Sequence, residues 1–212
     1  MMAQQERAAR TRDMLIESAA ELFDRKGFAL ASLSMISARA GVSNGALHFH
    51  FGSKTSLAEA VEKEAVYRLA RITGRSGDQA PGGALQLLID ATHSLVQGLG
   101  RDAILRAGFD PRQSLGSQGA AGAARGLWRG WVAEVLDRAD REGATARGVP
   151  TDTVAATVVA VTMGLGLPNG QGGQGGSSNA VTRFWGLLLP RLAADGALGD
   201  LVASGSTRAE TH

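Results

Sequence analysis

The 212-residue chain has no cysteine, a single tyrosine and only 5% aromatic residues. Without cysteine there is no disulfide framework and no thiolate metal site, which fits a reducing cytoplasm. Long apolar runs are missing too. The nearest, Val154 to Leu167, is interrupted by Thr157 and Thr162 and falls short of the ~20 residues a membrane span needs. The first residues, Met-Met-Ala-Gln-Gln-Glu-Arg, offer no signal-peptide core. A soluble, cytoplasmic protein is the expectation. Charge of one sign is also scarce, with a formal net charge of only +2, so bulk charge says little about nucleic acid. Lysine is rare among the 22 basic residues, and arginine, which forks onto phosphate or carboxylate, dominates. Most of that bias reads as coding composition.

What is present is helical. Hydrophobic residues make up 44% of the chain, enough for a sizeable core. Met14, Leu15, Leu22 and Phe23 mark one face of a helix from about Arg7 to Lys26, with Gly27 placed to end it. Leu57, Val61, Leu69 and Ile72 mark a long helix beginning near Ser53. Trp128, Trp131, Val132, Val135, Leu136 and Ala139 follow helical steps, as do Val181, Phe184, Trp185, Leu188, Leu189 and Leu192. Ser76 to Gly83 reads as a loop, Gly108 to Gly126 as irregular at least until Ala120, and the Gly-rich stretch Gly164 to Asn179 as a mobile loop. No alternating run argues for strands. The expected architecture is all-α, about nine helices.

The most informative stretch is Ser32 to Lys54. Ser32 can cap a short helix whose inward side is Leu33, Ile36 and Ala40. Gly41 suits a tight turn, Val42 can fill the angle between two helices, and Ser43 can cap a second helix, Asn44 to His50. Two short helices joined this way present the second outward, able to enter a DNA major groove. Asn44 and His48, four apart, share a face. Gly45 and Ala46 are small enough for close approach to base edges, and Lys54, at the start of the next helix, could hold a phosphate. The candidate DNA-contacting residues are therefore Ser32, Ser43, Asn44, Gly45, Ala46, His48 and Lys54, against the plain alternative of a solvated helix face. His50 reads as a structural histidine bonding near the turn.

Other motifs fail their context. Gly170 to Gly175 spells G-x-G-x-x-G but follows no strand. Ser117 lacks the glycine two residues earlier that a hydrolase elbow needs. Glu17 and Glu21 read as solvated charges on the outer side of the first helix. No nucleophile–base pair, catalytic group or metal cluster stands out, and no cofactor is implied.

The stretch from Ala40-Gly41-Val42-Ser43 through Gly45-Ala46-Leu47-His48-Phe49-His50-Phe51 to Ser53-Lys54, with Arg10-Thr11-Arg12 and Gly27-Phe28 before it, resembles the DNA-binding domain of the TetR family of repressors. Gln5-Glu6-Arg7-Ala8 and the Gly45 to Phe51 run are similar to a narrower group, the γ-butyrolactone receptors of antibiotic-producing actinomycetes. That group usually has Lys where Asn44 stands and Tyr where His48 stands. Both departures bear on the operator, and they favour a divergent member answering to another ligand. The resemblance implies a helix-turn-helix domain over 1–54, a helical ligand-binding and dimerisation domain over 55–196, and a flexible tail over 197–212. It implies a homodimer through the last two helices, about Thr151 to Leu167 and Val181 to Leu192, on double-stranded operator DNA. Trp128 falls at the position of a pocket tryptophan. Trp131, Trp185 and Phe109 join it as candidate ligand contacts, although aromatics at helical spacing are more often plain core.

The implied function is a ligand-responsive repressor of antibiotic or secondary-metabolite genes, released by a γ-butyrolactone-like signal or an antibiotic end product. Alternatives are a multidrug-sensing repressor of an efflux gene, which needs buried acids, and an architectural DNA-binding protein without a ligand. A carrier or enzyme acting on a lipophilic molecule is the reading from another class.

Overall fold

The computed structural model describes residues 2–75, 82–109, 122–166 and 174–206. Within them are ten α-helices and no strand, only an isolated antiparallel bridge between Thr145 and Ala193. In chain order they are α1 (Met2–Lys26), α2 (Leu33–Arg39), α3 (Asn44–His50), α4 (Lys54–Arg75), α5 (Gly83–Arg101), α6 (Ala103–Phe109), α7 (Ala123–Arg141), α8 (Thr151–Gly166), α9 (Gln174–Leu192) and α10 (Asp195–Leu198).

The chain packs as two compact units: Met1–Arg68 with Asp102–Arg125, and Leu69–Arg101 with Gly126–His212. They are drawn differently from the functional division expected at residue 54. Most of α4, and all of α6, group with α1, α2 and α3 because their apolar faces have partners there. Gly108 on α6 lies so close to α4 that a Cβ would collide with that of Ala65.

In the first unit, Leu15, Ile16, Ala19, Leu22 and Phe23 of α1 are buried. Met14, expected on the same face, is 43% exposed, because its position turns about 100° away from Leu15. Gly27 ends α1 at φ +80°, a left-handed conformation that only glycine adopts cheaply. Around this core run ion pairs from α1: Glu21 with Arg39 on α2, Asp24 with Arg106 on α6, and Glu17 with Arg68 on α4. Glu21, expected as a solvated charge, is therefore a cross-helix partner, while Glu17 stays exposed as expected and only borders Arg68. Arg68 also binds Glu64 at 2.9 Å and Asp102 at 2.7 Å.

In the second unit, α5 is buried along most of its length, from Ala84 to Leu99. The inward faces of α7 and α9 match the helical spacing: Trp128, Val132, Val135, Leu136 and Ala139 on one, Val181, Trp185, Leu189 and Leu192 on the other. Burying each such side chain is worth about 1.5–3 kcal/mol.

Two loop expectations change. Gly164 to Gly166 close α8 and Gln174 to Asn179 open α9, so the Gly-rich stretch is helical at both ends, with 167–173 outside the described residues. Gly166 leaves no room for a Cβ against Leu99, which explains a glycine in a helix end there. The segment after α10, expected as a free tail, is tied to α5 as far as Ser206. The Val202 N–H donates to Gln86 Oε1 at 2.8 Å, and the Ser206 N–H to Asp90 Oδ1 at 2.7 Å. His93 Nε2 meets the Ala203 carbonyl at 3.0 Å. Residues 76–81, 110–121 (with Asp110 and Ser117) and 207–212 lie outside the described residues.

Candidate nucleic-acid interface

The α2–turn–α3 segment is built by local chemistry. Ser32 Oγ accepts the Met35 N–H at 3.2 Å and Ser43 Oγ accepts the Ala46 N–H at 3.1 Å, so each serine satisfies an orphan donor at its helix start. Gly41 takes φ +67°, and the Val42 N–H donates to the Ser37 carbonyl at 3.0 Å, closing the turn. Ile36 and Leu47, both fully buried, anchor the two helices from beneath.

With Leu47 pointing inward, α3 turns Asn44, Gly45, His48 and Phe49 outward, all exposed. Their spacing, i, i+1, i+4, i+5, defines a single helix face. A Cβ on Gly45 would meet nothing closer than Ser43 Oγ at 3.8 Å. The fold therefore has room for a larger residue there. Ala46 is half-buried at the edge of this face.

Asn44 is held from behind. The hydroxyl of Ser37, a buried residue, donates to Asn44 Oδ1 at 2.5 Å. One acceptor lone pair is thereby used, and among the described residues no hydrogen bond engages the Asn44 amide donors. Ser32 and Ser43 act first as caps, and Ser32 also shares a 2.9 Å hydrogen bond with Ser34.

Lys54 departs from expectation. Its Nζ donates to the carbonyls of Phe28 (2.9 Å), Ala29 (3.3 Å) and Ala31 (2.9 Å) and sits 4.4 Å from the Phe28 ring centroid. An ammonium has three N–H donors, and three carbonyls take them. Without DNA, Lys54 clamps the 27–31 turn ahead of α2, with its ammonium turned onto backbone carbonyls. His50, expected to bond near the turn, packs instead through its ring, against Phe49 at 5.2 Å and Phe51 at 6.5 Å.

Sequence reasoning missed three residues on or beside this face. Phe49, 82% exposed on the outward face, carried a signal in its four-residue step from Gly45. Arg12, whose guanidinium stands 5.5 Å from the Phe51 ring centroid, had none, since the contact joins distant segments. Ser37 likewise meets Asn44 only because the turn folds α3 back beside α2.

The candidate ligand residues fall into different places. Phe109 is fully buried at the end of α6, in the reader's unit. Trp128 and Trp185 are fully buried in the second unit, and among the described residues neither indole Nε1 has a hydrogen-bond partner. Trp131 is half-buried and stacks on Trp128 with centroids 5.3 Å apart and planes 18° from parallel.

Comparison with known proteins agrees with this geometry. The family described as bacterial regulatory proteins, tetR family, matches residues 15–61, from the middle of α1 into α4. The A-factor receptor protein of Streptomyces griseus is 28% identical over 96% of this chain and 71% of its own length. Among solved structures, a γ-butyrolactone receptor superposes with a TM-score of 0.78 at 26% identity, covering 93% of this chain and 96% of that one. The TetR regulator TylP from Streptomyces fradiae is 30% identical, with a TM-score of 0.65 over 94% of this chain and 86% of its own. These relatives are regulators rather than enzymes. A helix-turn-helix with an outward polar face, joined to a second helical unit and matched over nearly its whole length by such proteins, places the chain in the TetR family of DNA-binding transcriptional regulators, with a likeness to γ-butyrolactone receptors.

Proposed function

We propose that the protein is a homodimeric, ligand-responsive repressor of antibiotic or other secondary-metabolite genes, acting in the cytoplasm. Each subunit would lay α3 in the major groove, with Asn44, Gly45, Ala46 and His48 at base edges. Two readers would then engage half-sites of a near-palindrome ~34–36 Å apart. The outward face of α3 supports this, as does the operator complex of the relative CprB from Streptomyces coelicolor, 26% identical to this chain. Among the described residues no helix is long and apolar enough to cross a membrane.

The observation that carries the effector reading is the pair of indole N–H groups on Trp128 and Trp185, buried and without acceptors among the described residues. A buried donor without a partner costs about 1–3 kcal/mol, a cost that a ligand oxygen removes. The buried polar side chains described in the second unit are Gln86, Thr92, Thr145 and Thr162, none of them acidic. Such an interior suits an uncharged molecule with acceptor oxygens, as a γ-butyrolactone or a neutral antibiotic is. It does not suit the cations of a multidrug sensor.

The dimer reading rests on α8 and α9. Leu187 is 81% exposed, and Ala156, Thr157, Ala160 and Gly186 lie exposed on the same two helices. Small residues around a prominent leucine suit close helix packing. The effector releases DNA only through its different affinity for two conformations of the dimer, with no chemistry done on the ligand.

The test is an operator gel shift titrated with γ-butyrolactones and with the producer's own antibiotics. Release by a neutral member of the panel is expected. Tight binding that none of them disturbs would remove the effector assignment and leave the DNA-binding one standing.

A further inference from the structure

Glu62 is the one described acid that is almost completely buried, 3% exposed, and reading DNA does not need it. It lies on α4. Its Oε1 accepts the N–H of Gly122 at 3.0 Å and of Ala123 at 2.9 Å, the two residues that open α7. A carboxylate placed there satisfies orphan donors and meets the positive end of a 19-residue helix. Arg125 adds a further favourable charge, while burial pushes the Glu62 carboxyl above its ordinary range. A cap for α7 could have come from a serine or aspartate next to it in sequence. Here it comes from a helix 60 residues earlier.

The two tied helices carry the two ends of the proposed function. Lys54, the first residue of α4, clamps the turn ahead of the reader and lies eight residues before Glu62, about 12 Å along the axis. Trp128 lies five residues into α7 from Ala123, about 7.5 Å along that axis. Helices are stiff over such lengths, so a shift of α7 has to be followed by α4 or break two hydrogen bonds to a buried carboxylate.

We propose that Glu62 is the positioning residue that couples the Trp128 end of α7 to the DNA reader, by tying the first turn of α7 to the helix that holds the reader's turn in place. The inference deepens the effector reading above and rests on it for the ligand's presence, but coupling is reciprocal. If α7 moves with the reader, operator DNA alone must alter the tryptophans, all three of which lie on α7 and α9 and none in the reader.

The experiment is therefore run without effector. Full-length protein is titrated with its operator while labelled-DNA anisotropy reports binding and tryptophan emission, excited beyond DNA absorption, reports α7. The wild type is expected to change emission on saturation. Glu62→Ala and Ala123→Pro are expected to bind operator with little loss and to lose the emission change. The proline removes one of the donors at a helix position where proline is well tolerated, so it keeps the test decisive if Glu62→Ala does not fold. Glu62→Gln, which keeps an acceptor oxygen, is expected to retain the response.

An unchanged emission response in the folded variants would overturn the proposal, as would a wild type that binds operator without any response. A glutamine that loses the response as fully as alanine would overturn its hydrogen-bond basis. A parallel titration with a panel of 2-alkanoyl-γ-butyrolactones separates the two claims. A wild type that responds to operator and to no lactone refutes the ligand class while leaving the coupling intact. With a responsive lactone, the about 5–150-fold weakening of operator binding typical of such coupling should fall towards unity in Glu62→Ala.

Discussion

Lys54→Met is the substitution that best separates a clamp from a phosphate contact. Methionine keeps most of the aliphatic stem and removes the ammonium. Three carbonyls lose a charged donor, at 2.9, 3.3 and 2.9 Å, and Phe28 loses its cation at 4.4 Å. Hydrogen bonds to a charged group are worth about 1.5–3 kcal/mol each when removed, and an exposed cation–π contact about 0.5–1 kcal/mol. Lys54 is half-buried and the Ala29 bond is exposed, so water replaces part of this. A net loss of about 2–4 kcal/mol follows, on the order of 5–15 °C in Tm for a chain this size. The assay is urea unfolding followed by circular dichroism, paired with operator affinity measured across a series of salt concentrations. Loss of stability and of operator affinity is expected, with the salt slope unchanged, because no phosphate partner has been removed. A phosphate contact would instead lower the slope by about 0.9 per phosphate and leave stability intact. That pattern would refute the clamp.

Two further outcomes follow from other parts of the molecule. Leu187→Lys, placing a charge on the most exposed leucine of α9, should shift the protein from dimer to monomer in sedimentation while its helical content stays constant, and a dimer that persists would move the interface elsewhere. Glu142 is held below the usual carboxylate range first by its hydrogen bond from Arg138, then by the Ala84 N–H and the charge of Arg141, against an opposing effect of burial. Its contribution to stability is present above its ordinary value of 4.5 and is lost as pH falls through the lowered one, so Glu142→Gln should flatten the acid limb of the stability–pH curve. Glu62, raised by burial, acts in the opposite sense: its contribution is present in acid and is lost as pH rises through the raised value.

Much of the reader was legible because its determinants are local. Ser32 and Ser43 each bond three residues ahead, Gly41 needs a positive φ, and α3 spans the same residues that its cap and periodicity imply. The apolar faces of α7 and α9 were readable for the same reason, since helical spacing encodes burial. What stayed hidden depends on contacts between distant segments. Nothing around Lys54 says that the Phe28 and Ala31 carbonyls lie within its reach. Nothing near Glu62 says that α7 begins against it, nor could spacing tell that Trp128 and Trp185 would both be buried without acceptors among the described residues. The two ends of the Gly-rich run, Gly164 to Gly166 and Gln174 to Asn179, are helical where composition favours a loop, for a related reason. Tight packing of Gly166 against Leu99 favours a helix end.

The central claim is that the exposed face of α3 reads base edges. It is tested most directly by measuring the affinity of Asn44→Ala/His48→Ala for its operator and for a scrambled duplex of equal length. The double variant removes no buried contact except the Ser37 hydrogen bond, so the fold should survive. Specific affinity should fall by about 2–6 kcal/mol, two base contacts at about 1–3 kcal/mol each, with scrambled-duplex binding little changed. Equal affinity of the variant and the wild type for the operator would contradict the account.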